Sequence, residues 1–363
     1  MINRKNHIPL YIQLADTLRE QIRSGEIPAG SKLPSETEMI RQYNLGRLTI
    51  REALSILANE GLIEKQHGKG TFCKTNVMSA KYKIDVLLNL TDIYFIPHYL
   101  QSICSVLEKN NARVILSDTQ NDSHNIGNLL EKILAEGTDG ILIQPSPDAL
   151  CPPEELVQCF QKLITAGIPY IMIDSSYTKV SQSYAVMDEF HAGVLAANHF
   201  TELGHKNLSM IVLKDYADSE QRMKGFAASL ETQPYRIDYS ADLYSSIAAM
   251  LKMRPNITGI FCHNDEIAKE CYDILGKLSV SIPDQLSIIS VDDTVIAGTL
   301  TPPLTSIVHP KGLLGKASAQ ALIDMISGEA RWPYRKVFEP TLNKRNSCKK
   351  LTYSPKSHQM PES

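Results

Sequence analysis

Residues 34–72 read PSETEMIRQYNLGRLTIREALSILANEGLIEKQHGKGTF, and this stretch decides how the chain is organised. Ser35 is placed to cap a helix running to Tyr43, and Glu38, three residues on, can return a hydrogen bond to the cap. Asn44-Leu45-Gly46 is turn chemistry that stops that helix. From Leu48 the apolar residues Ile50, Ala53, Leu54, Leu57 and Ala58 recur at helical spacing. Arg47, Thr49, Arg51 and Glu52 are left facing outward near the helix start. Gly61 supplies the stop, and LIEKQHGKGTF then reads as strand, glycine-bearing turn, strand. Two helices joined by a tight turn and followed by a hairpin make a winged helix-turn-helix. Its second helix suits the DNA major groove, with arginines at its leading end, and the wing carries His67 and Lys69 at its tip.

Outward from this stretch, composition sets the bounds. The chain has 363 residues, of which 43% are hydrophobic and 21% charged, the profile of an ordinary globular protein with room for two or three domains. No apolar run approaches the ~18 residues a membrane span needs. The start, MINRKNHIPLYIQL, has no apolar h-region, so no secretory signal is expected. The seven cysteines are odd in number, scattered and never in a C-x-x-C pair. That pattern suits reduced thiols in the cytoplasm better than disulfides or structural zinc. Net charge is −3, but residues 1–75 hold 11 Lys/Arg against 8 Asp/Glu, and the remainder 26 against 32. A mildly basic head on a mildly acidic body directs nucleic acid to one end.

The expected organisation is a head over 1–75, a linker over 76–83, a body over 84–343 and a polar tail over 344–363. From Ile84 strands and helices alternate: IDVLLNL, ARVILSDT, DGILIQPS, IPYIMIDSS, LSMIVLK, ITGIFCHND and LSIISVDDT are buried strands separated by amphipathic helices. This predicts parallel sheets covered on both faces, and the number of βα units predicts two lobes. Ligands of such sheets bind at the carboxyl ends of strands. Asp92, Asp118, Asp174, Asn264, Asp265, Asp292 and Asp293 all fall there. Any one of them could be a helix cap or a turn former; as a set they point to a polar ligand between the lobes.

The segments PLYIQLADTLREQIRSGEIPAGSKLPSE and TIREALSILANEGLIEKQHGKGTF resemble the GntR-type DNA-binding head throughout. The resemblance implies DNA contacts by Arg47 and Arg51, with Thr49 between them, and by His67 and Gly68 at the wing tip beside Lys69. Where many relatives have Arg after the Glu of PSE, this chain has Thr37; Glu36 stays available to accept from a cytosine amine.

The body, from Ile84 to about Leu342, resembles the LacI/GalR effector domain, a two-lobed, periplasmic-binding-protein-like sugar sensor. The segments carrying the likeness include HFTELGHKNLSMI, QRMKGFAASL, IFCHNDEIA, IPDQLSIISVDD and PPLTSIVHPKGLLGKASAQALI. The resemblance implies that Arg222, Asn264, Asp292 and His309 grip sugar hydroxyls, where bidentate groups match vicinal diols. Asp92 and Asp174 join them from the strand ends, and Tyr94 and Phe95 offer an apolar wall to a pyranose face. A GntR-type head on this body is similar to the arabinose-utilisation repressors. That implies a homodimer on palindromic double-stranded operator DNA, released by L-arabinose or a related pentose. Activation instead of repression, or another sugar or sugar phosphate as effector, stays open.

Catalysis is not expected. The lysine and phosphate-cup motif of a pyridoxal-phosphate body is missing, as are G-x-x-x-x-G-K-[ST] and G-x-S-x-G. His191, His199 and His205 lack the cysteines or aligned carboxylates of a metal site, so surface or capping roles are expected for them. No cofactor or metal is expected, and a transport role does not suit the attached winged helix.

Overall fold

The computed structural model describes residues 8–23, 25–66, 69–74, 80–91, 94–146, 152–177, 180 and 183–351. Two compact units divide the chain near Tyr82. The first begins with α1 (Leu10–Arg23), α2 (Glu36–Tyr43) and α3 (Arg47–Asn59), followed by β1 (Ile63–Gln66) and β2 (Gly70–Cys73). The Ser35–Glu38 capping box opens α2, and Asn44 in the left-handed region (φ 50°) closes it. Leu14, Leu18, Met39, Leu45, Ile50, Leu54, Leu57 and Ile63 fuse the three helices and the wing into one core. Gly61, at φ 74°, turns the chain from α3 into the antiparallel hairpin, where Ile63 faces Cys73. Arg19 clamps Glu60 at the end of α3 with two hydrogen bonds, 2.9 and 2.6 Å.

The second unit has two lobes. The first is built from β3 (Tyr82–Leu88), α4 (Ile96–Lys109), β4 (Ala112–Asp118), α5 (Ser123–Glu136), β5 (Gly140–Ile143), α6 (Glu154–Thr165), β6 (Tyr170–Asp174) and β7 (Tyr184–Met187). The second follows with α7 (Glu189–Glu202), β8 (Leu208–Val212), α8 (Ala217–Ala228), β9 (Tyr235–Asp238), α9 (Leu243–Met253), β10 (Gly259–Cys262), α10 (Asp265–Lys277), β11 (Ser287–Asp292), α11 (Val295–Thr299) and β12 (Thr305–Val308). The chain then returns to the first lobe with α12 (Lys311–Ser327) and β13 (Arg335–Phe338), and crosses back for β14 (Thr341–Asn343). The two six-stranded sheets are ordered β13-β7-β6-β5-β3-β4 and β14-β12-β11-β10-β8-β9. Position for position the orders match, so β6 of one lobe is the counterpart of β11 in the other. The valine- and isoleucine-rich strands are buried on both faces, as parallel strands between helices must be.

Where α7 meets α8, the helices pack backbone against backbone. A Cβ on Gly193 would overlap the carbonyl oxygen of Arg222, and one on Gly225 would overlap that of Phe190. Only glycine permits this approach, and it fixes Arg222 of α8 beside Glu189 of α7.

The polar tail expected from residue 344 begins later. Ser347 is fully buried, donating to the Ile288 carbonyl at 2.6 Å and accepting from the Thr305 amide at 2.8 Å. Arg345 pairs with Asp293 at 2.6 Å, and the Leu351 amide bonds the Leu203 carbonyl at 2.8 Å. These polar side chains satisfy backbone groups of the second sheet, a role that hydropathy cannot reveal. Residues 352–363 lie outside the described residues.

Candidate ligand cleft and nucleic-acid interface

Between the lobes, at the carboxyl ends of both sheets, is a cavity of about 200 Å³. Of the eight residues expected to hold a ligand, Tyr94, Phe95, Asp174, Arg222, Asn264, Asp292 and His309 line it. Asp92 lies outside the described residues. Asp118 does not reach the cavity: its carboxylate accepts the amides of Leu90 and Gln120, the turn role open to any strand-end aspartate. Asp265 lines the cavity, yet its carboxylate is held by Ser290, Ser306 and Thr294. Asn264 has a double position, since its side-chain oxygen caps α10 by accepting the Ile267 amide at 2.9 Å.

Asp174 and Asp292 are the last residues of β6 and β11, and both have positive φ, 77° and 110°. A left-handed non-glycine residue at both equivalent strand ends is strain the fold sustains where the carboxylates turn into the cleft. Their surroundings differ. Asp174 accepts from Tyr99 Oη (3.0 Å) and Gln144 Nε2 (3.0 Å), and His309 Nε2 lies 2.9 Å away. Burial opposes its charge, but His309, Gln144 and Tyr99 together hold the carboxyl below the usual range. The Asp292 carboxylate is only 6% exposed and has no hydrogen-bond partner among the described residues. Burial pushes it up to about 7, against the pull of Arg222.

Arg222 is neither on the surface nor free. Its Nε donates to Glu189 at 2.5 Å and its Nη1 to the His263 carbonyl at 2.7 Å. Burial works against its charge, but Glu189, with Asp292 and Asp218 farther off, raises the guanidinium above its ordinary value. The same cation, added to burial, keeps His263 neutral by lowering its pKa well below the imidazole norm. Phe95 does line the cavity, and it also packs edge-on against His309, with ring centroids 5.2 Å apart. The Lys311 ammonium sits 4.3 Å from the centre of the Phe95 ring.

Sequence reasoning missed Gln144, Asp218 and His263. Gln144 and His263 follow β5 and β10, counterpart strands of the two lobes, so the sheet order alone would have found them. Asp218 stands one helical turn before Arg222 in α8, a spacing that was a usable signal. Burial and the charge of Glu189 push its carboxyl well above the usual value. The histidines weighed as metal ligands separate. His199 and His205 are buried in the second lobe, whereas His191 lies with Asp188 and Glu339, their ligand atoms within 4.8 Å of one another.

In the head, Arg47, Leu48 and Arg51 are exposed on the first turn of α3 and Thr49 is half-buried. Arg51 Nε donates to both oxygens of Glu36, at 3.1 and 2.9 Å, so two expected DNA-contact residues meet. Lys69 is exposed at the wing, its amide bonded to the Gln66 carbonyl at 3.0 Å. His67 and Gly68 lie outside the described residues.

The chain is a transcriptional regulator made of a GntR-type winged-helix head and a LacI-type, periplasmic-binding-protein-like body. Residues 10–73 match the model of the gntR family of bacterial regulatory proteins, and residues 197–348 match the periplasmic binding protein-like domain. Among individual relatives, the chain is 28% identical over 365 residues to the arabinose metabolism transcriptional repressor of Geobacillus stearothermophilus, covering 96% of this chain and 100% of that protein. The repressor of the same name from Halalkalibacterium halodurans is 27% identical, over 91% of this chain and 94% of its own. A LacI family transcriptional regulator from Enterococcus faecalis V583, solved with bound ribose, superimposes with a TM-score of 0.64 at 26% identity, covering 74% of this chain and all of that one. All three of these relatives are named as transcriptional regulators. Among the described residues no helix is long and apolar enough to cross a membrane.

Proposed function

We propose that this protein is a sugar-responsive transcriptional repressor acting in the cytoplasm. As a homodimer it holds a palindromic operator through two winged heads, and L-arabinose or a related pentose, bound between the lobes, releases it. The head is taken as residues 1–75, and the linker expected over 76–83 ends where β3 opens the effector body at Tyr82. The observation that carries this reading is the joining, in one chain, of a winged head with arginines leading α3 to a cleft ringed by Asp174, Asp292, Arg222, Asn264 and His309. Carboxylate and amide oxygens accept and guanidinium and amide N–H groups donate, so together they match sugar hydroxyls, which do both.

The charge of the cleft favours an unphosphorylated sugar. Asp174, Asp218, Asp265, Glu266 and Asp292 line it, and Arg222 is already paired with Glu189. A phosphate ester would bring its charge into a lining rich in carboxyl groups, where the Arg222 guanidinium already serves Glu189. On the DNA side, Arg51 and Glu36 present donors and an acceptor side by side. That is the complement of a G·C pair, whose guanine accepts at N7 and O6 and whose cytosine donates at N4. Repression and release need a sugar that binds one body state more tightly than the other.

The test is a thermal-shift panel of L-arabinose, D-ribose, D-xylose and D-ribose 5-phosphate, with operator release followed in parallel. A free pentose should raise the melting temperature and release DNA, and the phosphate ester should do neither. Stabilisation by the phosphate alone would remove the pentose reading.

A further inference from the structure

Leu48 is the most exposed of the large apolar side chains among the described residues, at 77%. Scattered exposed leucines are ordinary on protein surfaces; what matters is where this one stands. In α3 the buried residues Ile50, Ala53, Leu54 and Leu57 define the inward direction. At ~100° per residue, Leu48 projects almost opposite to them, on the same face as Glu52 and Ser55. It lies in the first turn, between Arg47 and Arg51, and a helix enters a major groove with that turn leading. Leu48 is neither in the core of the head nor packed against it.

We propose that Leu48 reads the 5-methyl group of a thymine, making it a specificity-determining residue of the head. The proposal rests on the DNA-binding reading above and adds to it a feature of the operator. The thymine methyl is the single apolar group that base pairs offer in the major groove, and apolar side chains are its natural contact. Arg47 and Arg51 supply positive charge along one flank of Leu48, and the Arg51–Glu36 pair supplies polar reading of a neighbouring G·C pair. An operator half-site should therefore hold a thymine at one fixed place near the guanine read by Arg51. Burying Leu48 against the methyl removes two apolar surfaces from water with no polar group left unpaired.

Selection of duplexes from a random pool with the full-length protein, and separately with Leu48→Ala, supplies the site. Replacing thymine by uracil there then deletes nothing except the methyl. The wild type should lose about three- to fivefold in affinity on that replacement at one thymine per half-site, the value of about one buried methyl group. Leu48→Ala should bind both duplexes alike and show a weakened thymine preference in its own selection, with an unchanged melting temperature. Uracil tolerated at every thymine by the wild type, or the same loss in Leu48→Ala, overturns the proposal and leaves the DNA-binding reading standing. Failure to enrich any sequence overturns both.

Discussion

Each unit of the molecule holds an arginine against a glutamate, and the two pairs are opposites. In the body, Arg222 and Glu189 are 7% and 8% exposed in their side chains. In the head, Arg51 and Glu36 are 58% and 26% exposed. Water screens the exposed pair, which is worth ~0.2–1 kcal/mol and can be exchanged for a base edge at little cost. The buried pair cannot be opened without stranding a charge, so it holds its geometry and presents the remaining guanidinium edge to the cleft. One pair is suited to be given up on binding, the other to stay while a ligand arrives.

Breaking the buried pair should have the largest effect. Glu189→Gln leaves the Arg222 charge in the interior and should cost ~3–5 kcal/mol, read as a fall in chemical-denaturation midpoint. Glu36→Gln, by contrast, should leave the fold within ~1 kcal/mol of wild type while altering operator preference. Equal costs would erase the distinction between the pairs. Next in size is Arg51→Ala, which should lose ~1–3 kcal/mol of specific operator binding per half-site and leave sugar binding unchanged. Gel shifts at matched salt check it, and undiminished binding would remove Arg51 from the interface. Gly225→Ala tests how the buried pair is positioned. Its methyl would meet the Phe190 carbonyl, so α7 and α8 must part, and sugar affinity should fall along with melting temperature. The smallest effect belongs to Lys69→Ala, which should reduce the salt slope of binding by ~1 if the ammonium touches a phosphate.

The cleft also predicts opposite pH behaviour for its two strand-end aspartates. The Asp292 carboxyl is raised by burial to about 7, above its unfolded value of ~3.9. Its neutral form suits the fold, so stability from this group is full below pH ~4 and is lost as pH rises towards 7. Asp292→Asn should therefore melt above wild type at pH 8 in the absence of sugar, and equal melting would contradict the shift. Asp174 is lowered, mainly by His309 working against burial, so its contribution is present above pH ~4 and lost as pH falls below it. Asp174→Asn should melt below wild type at pH 8.

Much of this was legible before any coordinates. The Ser35–Glu38 box, the Asn44-Leu45-Gly46 turn and the period of α3 are local signals, and each is where the sequence puts it. The parallel sheets announce themselves through apolar strands bounded by polar ends. What stayed hidden depends on contacts between distant segments. Glu189 and Arg222 are 33 residues apart and meet only because Gly193 and Gly225 let two helices touch. Ser347 is buried because strand-edge amides, invisible in a hydropathy pattern, need partners. The difference between Asp174 and Asp292 is likewise one of neighbours: the two share a strand end and a positive φ, and only the fold seats His309, Gln144 and Tyr99 against the first while the carboxyl of the second feels its cations without a hydrogen bond.

In the proposed function, a sugar in the cleft governs the hold of the head on DNA. Calorimetric titration of L-arabinose and D-ribose into wild type and Asp292→Asn, with operator release followed by fluorescence anisotropy, measures that link. Asparagine keeps the shape and removes the charge of a ligand group whose loss should cost several kcal/mol of binding, a hundredfold or more in affinity. Both proteins should bind operator equally, wild type should bind a pentose and let go, and Asp292→Asn should need about a hundredfold more sugar for each. An Asp292→Asn protein that binds the sugar and releases operator like wild type would contradict the proposed function.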